Sequence, residues 1–127
     1  MSMYKKIGIS IITILALGSC YQPQRDCSSF RDGEFSFTTT INEEEVTTTF
    51  IRKGDLEIDF FEGKVDSSSV RWINDCEYVV KKLHPRNKAE EKSVHMKILT
   101  TSDNSYTFEY NIVGDTRKSK GKAIKIN

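Results

Sequence analysis

The feature that most constrains this chain is an apolar/polar alternation with a period of two, repeated in short runs from Gly33 to the C-terminus. Phe35 and Phe37 alternate with Glu34, Ser36 and Thr38, and Val46, Thr48 and Phe50 with Thr47, Thr49 and Ile51. Leu56, Ile58 and Phe60 oppose Glu57 and Asp59, and Val94, Met96 and Ile98 oppose His95 and Lys97. The cleanest run sets Tyr106, Phe108, Tyr110 and Ile112 against Thr107, Glu109 and Asn111. Successive side chains of a strand point to opposite faces, so each run reads as a half-buried strand. The threonine clusters 38–40 and 47–49 agree, because β-branched side chains suit a pleated surface.

Turn chemistry punctuates these runs at Asp32-Gly33, Asn42-Glu43-Glu44, Lys53-Gly54-Asp55, Glu62-Gly63-Lys64, Ser102–Ser105 and Gly114–Lys118. Asn74-Asp75 predicts a tight hairpin between Val70–Ile73 and Cys76–Val80. Glu62-Gly63-Lys64 and Asp66–Ser69 flank a weak, edge-like segment, and His84–Lys92 reads as a long loop or one helical turn starting at Pro85. A last strand covers Gly121–Ile126. The expected fold is all-β, an antiparallel meander of about seven to eight strands forming a small barrel or sandwich. No run after the first twenty residues has a convincing helical period, and there is no internal repeat.

The first twenty residues are of another kind. Lys5 and Lys6 lead the apolar run Ile7–Ala16, which closes on Leu17-Gly18-Ser19-Cys20. A positive start, a short apolar centre and small residues before a cut describe an export signal, and the run is shorter than the roughly 20 apolar residues of a spanning helix. Leu17–Cys20 resembles the bacterial lipobox, whose cysteine is lipidated and becomes the new N-terminus. The expected organisation is a signal peptide over 1–19, a lipidated Cys20 with a short tether over 20–26, and one β-domain over 27–127. The mature chain of 108 residues fits a single domain. Acyl chains on Cys20 would supply the two signals that stable anchoring needs.

With Cys20 committed to lipid, Cys27 and Cys76 remain in a compartment where disulfides persist. They are candidates for a bridge; the alternative is two buried thiols behaving as small hydrophobes. Loss of Lys5 and Lys6 leaves 17 basic against 18 acidic residues. That balance and the export signal argue against nucleic acid as a partner.

Catalytic chemistry has little to build on. The carboxylate sets Glu43-Glu44-Glu45, Glu57 with Asp59, and Glu90-Glu91 read as solvated surface, the second because it occupies the polar side of an alternating strand. His84 and His95 are the only histidines and fall on different elements, away from the tight His/Cys spacings of zinc sites. No nucleophile-elbow, dinucleotide or P-loop motif occurs. Neither a cofactor nor a metal is expected. The aromatics read chiefly as core, with Trp72 and Tyr78, beside the predicted hairpin turn, as candidates to line a binding mouth. Arg71, Lys81, Lys82 and Arg86 read as solubilising charge.

The lipobox cysteine, Cys27-x-x-Phe30-x-x-Gly33-x-Phe35-x-Phe37, Phe50-Ile51-Arg52, Trp72-Ile73-Asn74-Asp75-Cys76-Glu77-Tyr78 and Tyr106-Thr107-Phe108-Glu109-Tyr110 resemble a family of small, uncharacterised bacterial lipoproteins. The resemblance spans the mature chain. Some relatives carry the label DNA topoisomerase IV, which this sequence does not support: it is short, lacks an ATP-binding motif and carries an export signal.

The sequence therefore leads to a lipid-anchored, non-enzymatic cell-envelope protein, held at the periplasmic face of the outer membrane, with the inner membrane as the alternative. Its expected role is contact with an envelope protein through a filled domain. The alternatives are a lipocalin-like binder of a small apolar ligand and, remotely, an envelope enzyme. The interior decides between the first two. Phe35, Phe37, Phe50, Leu56, Ile58, Phe60, Met96, Ile98, Phe108 and Tyr110 provide enough bulk to fill a small barrel, whereas an apolar cavity of about 300 Å³ or more favours a ligand.

Overall fold

A computed structural model describes residues 25–127; the expected signal peptide, Cys20 and the expected tether as far as Gln24 lie outside the described residues. The alternating runs become eight strands: β1 (Gly33–Ile41), β2 (Glu44–Lys53), β3 (Leu56–Phe61), β4 (Lys64–Asn74), β5 (Glu77–Lys82), β6 (Val94–Thr101), β7 (Ser105–Ile112) and β8 (Ser119–Lys125). Each pairs antiparallel with the next, and β8 returns to β1 through Phe35↔Lys125, Ser36↔Ile124 and Phe37↔Ala123. The result is a closed meander barrel, and closure removes the sheet edges that an open meander would expose. Residues 64–69 are no edge: they open the eleven-residue β4 and pair with β3.

Two hairpins show why these turns form. At Asn42-Glu43 and at Glu62-Gly63 both central residues have positive φ, the combination that matches a two-residue turn to strand twist. Irregular pairing between Trp72 and Asn74 and between Ile98 and Thr100 bends β4 and β6, as bulges do in small barrels.

One end of the barrel is plugged. Cys27–Phe30 forms a 3₁₀ turn whose Cys27 and Phe30 are buried, with the Phe30 ring 5.2 Å from that of Tyr106. Cys27 and Cys76 form a disulfide, with Cα atoms 5.2 Å apart, and this ties the plug to the β4–β5 turn. Ahead of the plug, Arg25 Nη1–H donates to the Ile98 carbonyl and the Asp26 N–H to Thr101 Oγ1. The chain thus enters the domain at the plugged end. At the other end lie the turns 42–43, 62–63 and 113–118 and the 83–93 segment. A short 3₁₀ turn in that segment covers Ala89–Glu91 rather than beginning at Pro85.

The barrel wall contradicts the expected polarity at one strand. Ile51, Leu56, Phe60 and Val65 are 39, 38, 39 and 57% exposed, whereas Glu57 is only 8% exposed. β3 is turned so that Glu57 and Asp59 face inward and Leu56, Ile58 and Phe60 outward. The cause is register. Phe35 and Phe50 are paired and buried, so Arg52, two residues on, also points in, with no exposed surface. The Gly54-Asp55 hairpin sets Arg52 opposite Glu57 and Phe50 opposite Asp59, and directly opposed residues share a face.

Candidate functional site

The inversion of β3 leaves the barrel hollow. Three of the bulky residues assigned to the interior stand outside, and inward positions on other strands carry Thr48, Ser68, Gly121 and Ala123. Gly121 is required: a Cβ there would lie 2.5 Å from Phe37 and 2.7 Å from Phe108, two rings that meet edge-on at 5.4 Å. The inner chamber, about 230 Å³, is walled by Phe37, Phe50, Met96, Tyr106, Phe108 and Tyr110, with Thr48, Glu57, Asp59 and Tyr78. An outer chamber of about 370 Å³ shares Glu57, Asp59 and Met96 with it and continues past Val80, Val94 and Ile112 to Ala89, Glu90 and Lys92. Ala89 and Lys92 are exposed, so this chamber reaches the surface beside the 83–93 segment.

Arg52 lies beneath the inner chamber and directs all its donors to protein. Its Nε–H donates to the Arg31 carbonyl at 2.8 Å, and Nη2–H to the Phe30 carbonyl at 2.6 Å and to Tyr106 OH at 3.3 Å. Nη1–H donates to Glu57 Oε1 at 3.1 Å and to Tyr78 OH at 3.0 Å. Its guanidinium also lies 4.9 Å from the Phe35 ring centre and 4.8 Å from that of Tyr78. A buried guanidinium is tolerable only with such saturation, because desolvation otherwise exceeds the Coulombic gain. Burial also holds the Tyr78 phenol protonated well above its ordinary range, so it accepts from Arg52 as a neutral hydroxyl.

The carboxyl pair above Arg52 is asymmetric. Glu57 gives Oε1 to Arg52, while among the described residues its Oε2 takes no hydrogen bond from an N–H or hydroxyl donor. Glu57 and Asp59 together line both chambers. Burial raises the pKa of Asp59 to about 8, reinforced by the charge and hydrogen bond of Glu57 and by the Asp66 carboxylate, against the opposing pull of Lys82. At neutral pH Asp59 therefore holds its proton.

At the outer chamber the charges are tied together. Lys82 Nζ lies 3.3 Å from Asp66 and 3.6 Å from Glu90, and Arg86 Nη2 lies 3.0 Å from Asp66. These ion pairs pin the 83–93 segment against β4 and β5, and within it the Arg86 N–H donates to Glu90 Oε1. Lys82 and Arg86, expected to solubilise, thus hold the mouth in place.

The structure separates the other residues singled out in the sequence. Trp72 and Tyr78 pack together, with ring centres 4.4 Å apart, at the plugged end and not at the mouth. Arg31 covers Trp72 at 4.6 Å, and only Tyr78 reaches the lumen. His95 Nε2 sits 2.9 Å from Glu77 Oε1 on the outer wall of β5–β6, while His84 is exposed beyond β5. Among the described residues no three His, Cys, Asp or Glu side chains converge as metal ligands. Glu43, Glu44 and Glu45 are exposed around the β1–β2 turn. No protein-family model, curated protein or solved structure matches this chain.

Arg52 was not singled out in the sequence, and Glu57 and Asp59, read there as solvated surface, face the lumen instead. For Arg52 a signal existed, since it continues the inward row Val46, Thr48, Phe50. For Glu57 and Asp59 local alternation pointed the wrong way.

Proposed function

We propose that this chain is a lipid-anchored cell-envelope protein whose barrel takes up a small, largely apolar molecule in its lumen, in the manner of lipocalin-like folds. The observation that carries the reading is a hollow of two chambers that share Glu57, Asp59 and Met96 in their walls, with a plug at one end of the barrel and the outer chamber reaching the surface at the other. The outer chamber, about 370 Å³, falls in the range of ligand pockets, and the inner one, about 230 Å³, adds the aromatic walls with few polar groups that usually line them. The chain enters at the plugged end. An anchor at Cys20, five residues before Arg25, therefore supports an orientation with the plug towards the membrane and the mouth away from it. The Cys27–Cys76 bridge agrees with export. The full chain is expected to bind the neutral fluorophore N-phenyl-1-naphthylamine with enhanced emission. Met96→Trp, which fills the wall shared by both chambers, should abolish this; equal binding by the variant would refute the lumenal reading.

The outward row Ile51, Leu56, Phe60 and Val65 favours a second reading, contact with an envelope protein through the β2–β4 wall. Crosslinking in membranes tests it: Phe60→Glu should remove any crosslinked partner, and a partner profile unchanged by the variant argues against this wall.

A further inference from the structure

A lumenal ligand has to satisfy the polar groups that face it, and these are of one sign. The inner chamber presents Glu57 and Asp59 among aromatic rings. The nearest cation, Arg52, is fully buried and its N–H groups are committed to Phe30, Arg31, Glu57, Tyr78 and Tyr106. It has nothing to offer a carboxylate or phosphate head. Farther out, Lys82 is held by Asp66 and Glu90, and Lys92 stands exposed at the rim. Anions can therefore find a partner only at the mouth, whereas the interior presents two carboxyl groups to which, among the described residues, Arg52 gives the single N–H donor. Rings of phenylalanine and tyrosine around them present negative π faces, which attract a cation.

Resting on the lumenal reading above, we propose that the ligand is a small organic amine, its ammonium held between Glu57 Oε2 and Asp59 and its apolar body lying against Phe37, Met96, Phe108 and Tyr110. An ammonium supplies donors to both carboxyl groups, forms charge-assisted hydrogen bonds, and offsets the burial and neighbouring carboxylate charge that otherwise keep Asp59 protonated. On binding, the Asp59 proton leaves for solvent, and both carboxylates face the ammonium. Association below about pH 8, where Asp59 is protonated in the free protein, is consequently coupled to release of a proton and weakens as pH falls.

Calorimetric titration of the purified full chain near pH 7 with phenethylamine, phenethyl alcohol and hydrocinnamate compares one apolar body carrying a cationic, neutral or anionic head. The amine is expected to bind about tenfold or more tighter than the alcohol, with the anion weakest, and to release protons to the buffer. Its advantage over the alcohol should vanish in Asp59→Asn, in which the acceptor pair can no longer carry two charges. Alcohol or anion binding as tight as the amine's overturns the inference and leaves the lumen as a site for another ligand. An amine preference that persists in both Asp59→Asn and Met96→Trp places the amine elsewhere and also overturns it. If none of the three binds, the inference fails, and the naphthylamine probe shows whether the lumenal reading fails with it.

Discussion

Replacing Asp59 by Asn should make the unliganded protein more stable at alkaline pH. Asp59 is partly buried against Glu57, with Asp66 and Lys82 also facing it, and its pKa rises from an ordinary 3.8 to about 8 in the fold. Between those values the unfolded chain has lost a proton that the folded chain keeps. Unfolding then releases protons, and stability falls as pH rises, by about 1.4 kcal/mol per unit until the slope fades near pH 8. From pH 6 to pH 8 this one group removes about 2 kcal/mol, close to 10 °C in Tm for a domain of this size. Asn has nearly the shape of the protonated acid and does not titrate. Urea unfolding of both proteins at several pH values from about 5 to 9 measures the effect directly. The variant should gain on the wild type steadily up to about pH 8 and level off above it. Two parallel curves would show that Asp59 ionises normally, and that the carboxyl pair does not share a desolvated lumen.

Arg52→Met should cost roughly 3–5 kcal/mol, because it strands Glu57 and leaves two carbonyls and two phenol groups without their donor; a loss under about 1 kcal/mol in urea unfolding would show the network to be dispensable. Joint replacement of Cys27 and Cys76 by Ser should cost up to about 4 kcal/mol, since the bridge closes a loop spanning 49 positions, and reduction of the wild type should reproduce most of that loss. Gly121→Ala pushes the Phe37 and Phe108 rings into the inner chamber and should weaken naphthylamine binding; undiminished binding would place the probe outside this chamber.

Much of the fold was legible in the sequence. Turn residues and period-two runs located the strands except the first half of β4, the elimination of Cys20 pointed to the Cys27–Cys76 bridge, and the short links implied a meander. These are local properties, written into a few neighbouring residues each. Glu57 and Asp59 were not legible, because the sheet face they occupy is not a local property. Taken alone, Leu56–Phe60 buries its apolar side. Within the barrel, Phe50 and Arg52 face inward on β2, and the two-residue turn at Gly54-Asp55 fixes Glu57 opposite Arg52. A one-residue slip would rescue Leu56, Ile58 and Phe60 but strand the Arg52 guanidinium without its carboxylate. The sequence by itself determined the strands and their order. Only closure of the barrel decided which face of β3 turned inward, and with it the hollow and the carboxyl pair that lines it.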